Sequence, residues 1–413
     1  MYDKYGLIDN PFRLEHNHDI VGVSQNKTFD RVLELFKLYA AFKSRSGDRF
    51  IAAFQGEYGF GKSFFLNKLA ATIKERDRRF KRIIEDDVMI AVSIFSMLTT
   101  DIRLPAQLML HLYKSIVENL GGDGENSIRN LYEDLEDKAQ AEGKRIDKLL
   151  EPLDSNFTKV ILCLSDKSDK QYLAIKWLLA QRLTPTELRN LGVPYSIVTP
   201  DTAEKCIFQL LKLLKIIGYG LLVVLIDELE KVLTAIGERQ FLRTFLVLQE
   251  IFDNYVDLRN AHLKPVTPIG FLVSLTPQAW ETVEIGAESG KGVEAVRSRI
   301  HENVFEMERF NEEDTKDFIQ MLLSKKRITK FIGSPLFPFE LNTIQIIWER
   351  TYGNPRAIIN DCKSLLEFGN RSGAVKINTN LVNEYYRSIG AGDNPVLEIE
   401  DNQIDLLEGE EKI

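Results

Sequence analysis

Two rhythms of apolar residues run along the chain. Short unbroken runs at residues 50–54, 88–95, 221–226 and 269–275, with a weaker one at 304–307, suit strands buried on both faces. Between and after them apolar residues recur every three to four positions, as in Phe29, Val32, Leu33, Phe36, Tyr39 and Ala40, and again over 201–214. Buried strands alternating with helices predict an α/β fold, a doubly wound parallel sheet covered on both faces. Residues 1–48 read as an N-terminal segment and helix closed by Ser46-Gly47-Asp48, and 49–310 as the α/β core. A mostly helical insertion occupies about 97–218, broken at Gly121-Gly122-Asp123-Gly124. Its length far exceeds what a simple crossover needs, so partner or substrate specificity is expected there. Beyond 310 the rhythm is helical throughout, with helices expected near 312–325, 338–350, 355–368 and 378–388 as a lid, and 391–413 as an acidic tail.

The first buried run leads into Gly56-Glu57-Tyr58-Gly59-Phe60-Gly61-Lys62-Ser63, followed by Phe64 and a helix expected to run to about residue 79. Glycines at this spacing let the backbone wrap a polyphosphate, so that its N–H groups and the next helix N-terminus point at phosphate oxygens. Lys62 then supplies a cation to the β- and γ-phosphates and Ser63 a hydroxyl to Mg²⁺, making ATP and Mg²⁺ the expected cofactors. The run at 221–226 ends in Asp227-Glu228. Asp227 is expected to hold Mg²⁺ and Glu228 to polarise the attacking water. Kinases and GTPases seldom carry this acid pair, whereas ATP-hydrolysing machines do.

Three further residues complete the expected set. The run at 269–275 ends in Ser274-Leu275-Thr276-Pro277. Thr276 is the first choice for holding the water or γ-phosphate and Ser274 the second, a hydroxyl satisfying the backbone at a strand end being the other reading. Arg299, in Val296-Arg297-Ser298-Arg299-Ile300, precedes the last strand, where it fits either a neighbouring subunit's γ-phosphate or an exposed salt bridge. Gly353-Asn354-Pro355-Arg356 opens a lid helix, with Asn as cap and Pro in the first turn, and Arg356 is expected to face the phosphates from the lid. Lys74, Arg76, Arg78, Arg79, Lys81 and Arg82, and separately Lys325-Lys326-Arg327, suit either nucleic-acid phosphates or solvated helix ends. His16-Asn17-His18 has no further metal ligands close in sequence.

Charge and composition change this picture little. The 413 residues carry 53 basic and 61 acidic side chains, a net charge of −8. Residues 396–413 alone hold seven acids against Lys412, so the body is near neutral and gives no electrostatic case for tight nucleic-acid binding. Cys163, Cys206 and Cys362 are scattered, against a disulfide framework or zinc site. No basic-then-apolar leader opens the sequence, and the longest apolar run, near 216–226, is about half of the ~20 residues a membrane span needs. A cytoplasmic location without membrane contact is expected.

Taken in order, these motifs resemble an AAA+ P-loop ATPase: the glycine loop, the Asp-Glu strand, a polar strand end, an arginine before the last strand and a lid arginine. The lid form Gly353-Asn354-Pro355-Arg356 and the Ser298-Arg299-Ile300 step are similar to the origin-recognition and secretion/transposition-ATPase branch. The stretches Ala174-Ile175-Lys176-Trp177-Leu178, Leu191-Gly192-Val193 and Gly218-Tyr219-Gly220 through Asp227-Glu228-Leu229-Glu230 are more particularly similar to the ATP-binding domain of bacteriophage-exclusion (BREX) defence proteins. The resemblance implies strand order 5-1-4-3-2, hydrolysis of ATP to ADP and phosphate, and a homo-oligomeric ring or helix, since an arginine acting in trans needs a head-to-tail interface. It departs from origin-recognition proteins in leaving no room for a winged-helix reader after the lid. Two functions fit: a motor or loader acting on DNA or a nucleoprotein complex, in phage defence, or a nucleotide-gated switch that binds a protein partner and turns over slowly.

Overall fold

The computed structural model describes residues 2–12, 23–40, 49–75, 80, 89–96, 105–120, 124–166, 168–260, 266–301, 303–328, 331 and 333–390. Ser46-Gly47-Asp48, the His16–His18 pair, Gly121-Gly122-Asp123, most of the first basic cluster and the acidic tail lie outside the described residues. Two compact units emerge: Gln25–Tyr58 with Lys62–Met307, and Met1–Ser24 with Gly59–Gly61 and Glu308–Ile413. The N-terminal segment expected as one piece is therefore divided at Ser24.

The larger unit is built on five parallel strands, β1 (Arg49–Gln55), β2 (Met89–Ser96), β3 (Tyr219–Asp227), β4 (Ile269–Leu275) and β5 (Val304–Glu306), in the order β2-β3-β4-β1-β5. This is the expected 5-1-4-3-2 arrangement read from the other edge. Every residue of β4 and residues 221–227 of β3 are buried, the pattern of central strands covered on both faces. β5 is short and lies at the edge, where its three residues pair with Ala53, Phe54 and Gln55. The insertion is helical as expected, with Pro105–Asn119, Glu125–Glu142, Ser155–Leu162, Asp169–Leu178, Pro185–Leu191 and Pro200–Ile217 as its main helices. Leu108, Leu112, Tyr113 and Ile116 of the first and Leu210, Leu211 and Leu214 of the last share one core with β2 and β3. Trp177 is fully buried there, its indole N–H donating to the Tyr195 carbonyl at 2.6 Å.

The smaller unit carries helices Glu312–Lys325, Leu341–Thr351, Pro355–Arg371 and Thr379–Ser388. The second begins three residues later than expected, because Phe339 first bridges Ile377 and Glu340 takes the cap position. The N-terminal segment is sewn into these helices. Leu7 bridges Arg327, and the Ile8 N–H donates to the Lys326 carbonyl at 2.8 Å. The Arg327 guanidinium donates to the carbonyls of Tyr5 at 2.9 Å, of Pro335 at 3.0 Å and of Phe337, and lies over the Phe331 ring. Arg327 is thus a clamp on backbone carbonyls, which removes it from the basic cluster as a phosphate contact.

Gly353 turns the chain into the helix Pro355–Arg371 with φ +69°, and a Cβ there would come within 2.0 Å of the Phe310 carbonyl oxygen. Both the backbone conformation and the space demand glycine. Gly353→Ala is expected to destabilise this unit by at least about 2 kcal/mol, measured as the shift in a denaturant midpoint. All three cysteines are free, and no helix among the described residues is long and apolar enough to cross a membrane.

Candidate nucleotide site

Because the strands are parallel, β1, β3 and β4 all end on one edge of the sheet, the edge where open α/β folds take their ligands. Gln55 of β1 is in register with Leu275 of β4, and Ile226 of β3 with Val273 of β4. The glycine loop therefore leaves the sheet beside β4, which carries Ser274 and stands between it and the strand that ends in the acid pair. The Gly56 N–H donates to the Leu275 carbonyl at 3.1 Å, anchoring the loop's root.

Lys62 opens the helix Lys62–Lys74 and is buried, at 8% exposure. Its ammonium folds back into the loop, donating to the carbonyls of Gly56 at 2.8 Å and Glu57 at 3.4 Å. It also pairs with the Glu230 carboxylate, Nζ to Oε1 3.4 Å. This ion pair joins the glycine loop to the segment after β3, and it involves a residue that sequence reasoning did not single out. Burial pushes the Glu230 carboxyl above the usual carboxylate range; Lys62 opposes that shift and Asp227 adds to it. Ser63 and Phe64 follow half-buried, and Glu57 and Tyr58 are exposed.

Asp227 is buried at the end of β3, and its Oδ1 accepts from the Ser274 hydroxyl at 2.6 Å and from the Glu228 N–H at 2.9 Å. Glu228 takes φ +57°, a strained conformation for a side-chain-bearing residue and one that clusters at functional sites. One of its carboxylate oxygens accepts from the Ser96 hydroxyl at 3.0 Å, and the other pairs with Lys231 at 2.9 Å. Ser96 ends β2 in register with Asp227, so strand pairing brings it to the acid pair. It was missed because the expected strand order puts β2 beside β3 without giving the register that sets Ser96 opposite Asp227.

Thr276, expected to hold the water or γ-phosphate, is instead the N-cap of the helix Pro277–Glu288, its hydroxyl accepting from the Ala279 N–H at 3.2 Å. Ser274, the second choice, is the hydroxyl on the acid pair. Arg299 lies on the helix Glu294–His301 and donates to Asp253 of the helix Glu238–Asn260 at 3.1 Å, a partly exposed ion pair that matches the other reading of this arginine. In the smaller unit, Asn354 caps the helix that follows by accepting from Arg356 N–H at 3.0 Å and Ala357 N–H at 3.3 Å. The Arg356 N–H also donates to the Gly59 carbonyl at 3.2 Å. Gly59 has φ +84°, and a Cβ on it would meet Asn354 Oδ1 at 2.8 Å. Phe60 is buried in the same unit, with Arg309 over its ring.

The donor set suits a hard cation held jointly with phosphate. Asp227 and Ser63 offer oxygen ligands only, and no group of three or more His, Cys, Asp or Glu among the described residues could hold a metal alone. Gly59 and Gly61 take positive φ, a backbone conformation that glycine adopts without strain and that a tight, anion-facing turn requires.

A parallel sheet in the order β2-β3-β4-β1-β5, with a glycine loop after β1 and an Asp-Glu pair after β3, defines the AAA+ P-loop class of ATP-binding proteins. Residues 38–331 match the family described as BREX system ATP-binding protein BrxC/D. The chain belongs to that family. Among solved structures it is similar to the Aeropyrum pernix ORC2 protein in ADPNP–ADP complexes (13% identity, 92% of this chain and 72% of that one, TM-score 0.45). It is also similar to Drosophila ORC bound to DNA (10% identity, 92% and 64%, TM-score 0.44). A third is the RuvB Holliday junction branch migration motor of Thermotoga maritima (12% identity, 91% and 73%, TM-score 0.41). No curated protein matches the chain.

Proposed function

We propose that the protein is a Mg²⁺-dependent, cytoplasmic ATPase that works as a homo-oligomeric motor or loader on DNA or a nucleoprotein complex in phage defence. The observation that carries the ATPase reading is the joining of the glycine loop to the acidic end of β3 through Lys62 and Glu230, beside the Ser274–Asp227 hydrogen bond. The BREX description of the family supports the defence context. Bound ATP and Mg²⁺ would supply the scissile bond and the neutralising charge. Residues 56–61 would wrap the phosphates with backbone N–H groups. Lys62 would point its ammonium at the β- and γ-phosphates, and Ser63 and Asp227 would hold the metal. Glu228 would take a proton from the attacking water at its carboxylate, with Ser274 fixing the orientation of Asp227. Arg356 would face the phosphates from the lid. Arg299 would act across a subunit interface, with its half-exposed pair to Asp253 kept or exchanged.

A second reading has its own support. Both carboxylate oxygens of Glu228 are engaged, by Ser96 and Lys231, which favours a nucleotide-gated switch that turns over slowly until a partner frees the base. Phosphate release measured with and without duplex DNA, at low and moderate salt, separates the two. Stimulation by DNA that fades with salt supports the motor. If DNA does nothing and a protein partner accelerates release, the switch reading holds. Chelation of Mg²⁺ is expected to abolish release in either case.

The strand-end hydroxyls give a finer test. Ser274→Ala removes a hydrogen bond to a buried carboxylate and is expected to lower turnover by about tenfold. Thr276→Ala removes a helix cap, and its main effect is expected on stability, about 1 kcal/mol in the unfolding free energy.

A further inference from the structure

Lys62 has a peculiarity that phosphate binding must resolve. Its ammonium carries three N–H donors, and three acceptors already surround it: the Gly56 carbonyl, the Glu57 carbonyl and Glu230 Oε1. Two of these belong to the loop itself. The third is a full negative charge on the segment that follows β3, on a side chain 18% exposed. Its other oxygen, Oε2, is buried without a hydrogen-bond partner among the described residues. A carboxylate in that state is expensive to keep dehydrated, and Lys62 is the cation that makes it tolerable. Glu230 also stands in the first turn of the helix Glu230–Ile236, which adds a modest favourable term for the anion.

We infer that Glu230 is an internal counter-ion that stands in for phosphate on Lys62, so that nucleotide enters the site by exchanging with this carboxylate. The inference rests on the ATP-site reading above and deepens it, by naming the residue that sets the affinity of the site. Phosphate oxygens reaching Lys62 have to displace Glu230 Oε1, and the carboxylate they displace then repels them across a few ångströms of poorly hydrated space. Glu230 would thus lower affinity for every ligand that puts phosphate on Lys62, and most for those with the most negative charge there. It is a positioning residue that acts through Lys62, with no role as a base.

The test uses the full-length chain and three probes: AMP, ADP and a non-hydrolysable ATP analogue, each with Mg²⁺, in calorimetric titrations. Glu230→Gln keeps the shape and removes the charge. It is expected to tighten the ATP analogue by about tenfold, ADP by less, and to leave AMP within about twofold, the gain rising with phosphate count. Glu230→Ala, which removes charge and bulk together, is expected to keep that order. The inference is overturned if either folded variant binds the ATP analogue as wild type does or more weakly, or if all three nucleotides shift by one factor, as a general loosening of the site would produce. Wild-type protein that binds none of the probes would instead bring down the ATP-site reading beneath it.

Discussion

Glu228→Gln is expected to bind ATP within about twofold of wild type and to hydrolyse it about 10²- to 10⁴-fold more slowly, the range a positioned general base contributes. Glutamine has the same length and keeps an oxygen to accept from the Ser96 hydroxyl, so the left-handed backbone at 228 and the end of β3 stay in place. What disappears is the carboxylate that takes the proton, together with a half-exposed ion pair to Lys231 that is worth little to stability. Filter binding of labelled ATP and a phosphate-release assay on the same preparation separate the two quantities. A variant that binds normally and still turns over at the wild-type rate would move the base elsewhere.

Lys62→Ala is expected to act at the other step. Loss of one or two charge-assisted hydrogen bonds to phosphate should weaken ATP binding by about 10- to 100-fold. The structure adds a second consequence. Removing the ammonium takes away the cation paired with a mostly buried carboxylate whose Oε2 already lacks a partner among the described residues, so the apo protein should also lose about 1–3 kcal/mol of stability. Combining Lys62→Ala with Glu230→Gln should recover much of that stability and only a small part of the affinity, since the phosphate contact of Lys62 is still missing while the repelling carboxylate is gone. Denaturant unfolding of the apo proteins reads the first effect and equilibrium titration the second. Equal loss of stability in the single and double variants would show that the pair does not hold this part of the sheet edge.

Much of the sheet is legible in the chain because its strands are buried on both faces, and unbroken apolar runs such as Leu221-Leu222-Val223-Val224-Leu225-Ile226 have few other uses. The glycine loop and Asp227-Glu228 are legible for a related reason: their residue types are demanded by local chemistry, and each motif is contiguous. What escaped was set by pairing across long separations. Ser96 reaches Glu228 only because β2 lies beside β3 in the register that puts it opposite Asp227, and 131 residues of chain, mostly insertion, intervene. The Arg299–Asp253 pair likewise depends on where a 23-residue helix lies. Thr276 is a different case. A threonine directly before a proline that starts a helix is a cap signal, and that local rule outweighed its place at a strand end. Glu230 gave no signal at all, since an acid in the first turn of a helix is ordinary. Only the distance to Lys62 makes it notable.

Everything proposed for this protein turns on one placement, that of ATP with its phosphates on residues 56–63 and its metal at Asp227. Calorimetric titration of Mg²⁺-ATP into the full-length Glu228→Gln protein, with Lys62→Ala/Glu228→Gln alongside, tests it most directly. Saturable binding of about one nucleotide per chain, lost or weakened at least about tenfold when Lys62 is replaced, is the predicted result. No heat of binding, or binding indifferent to Lys62, would contradict it.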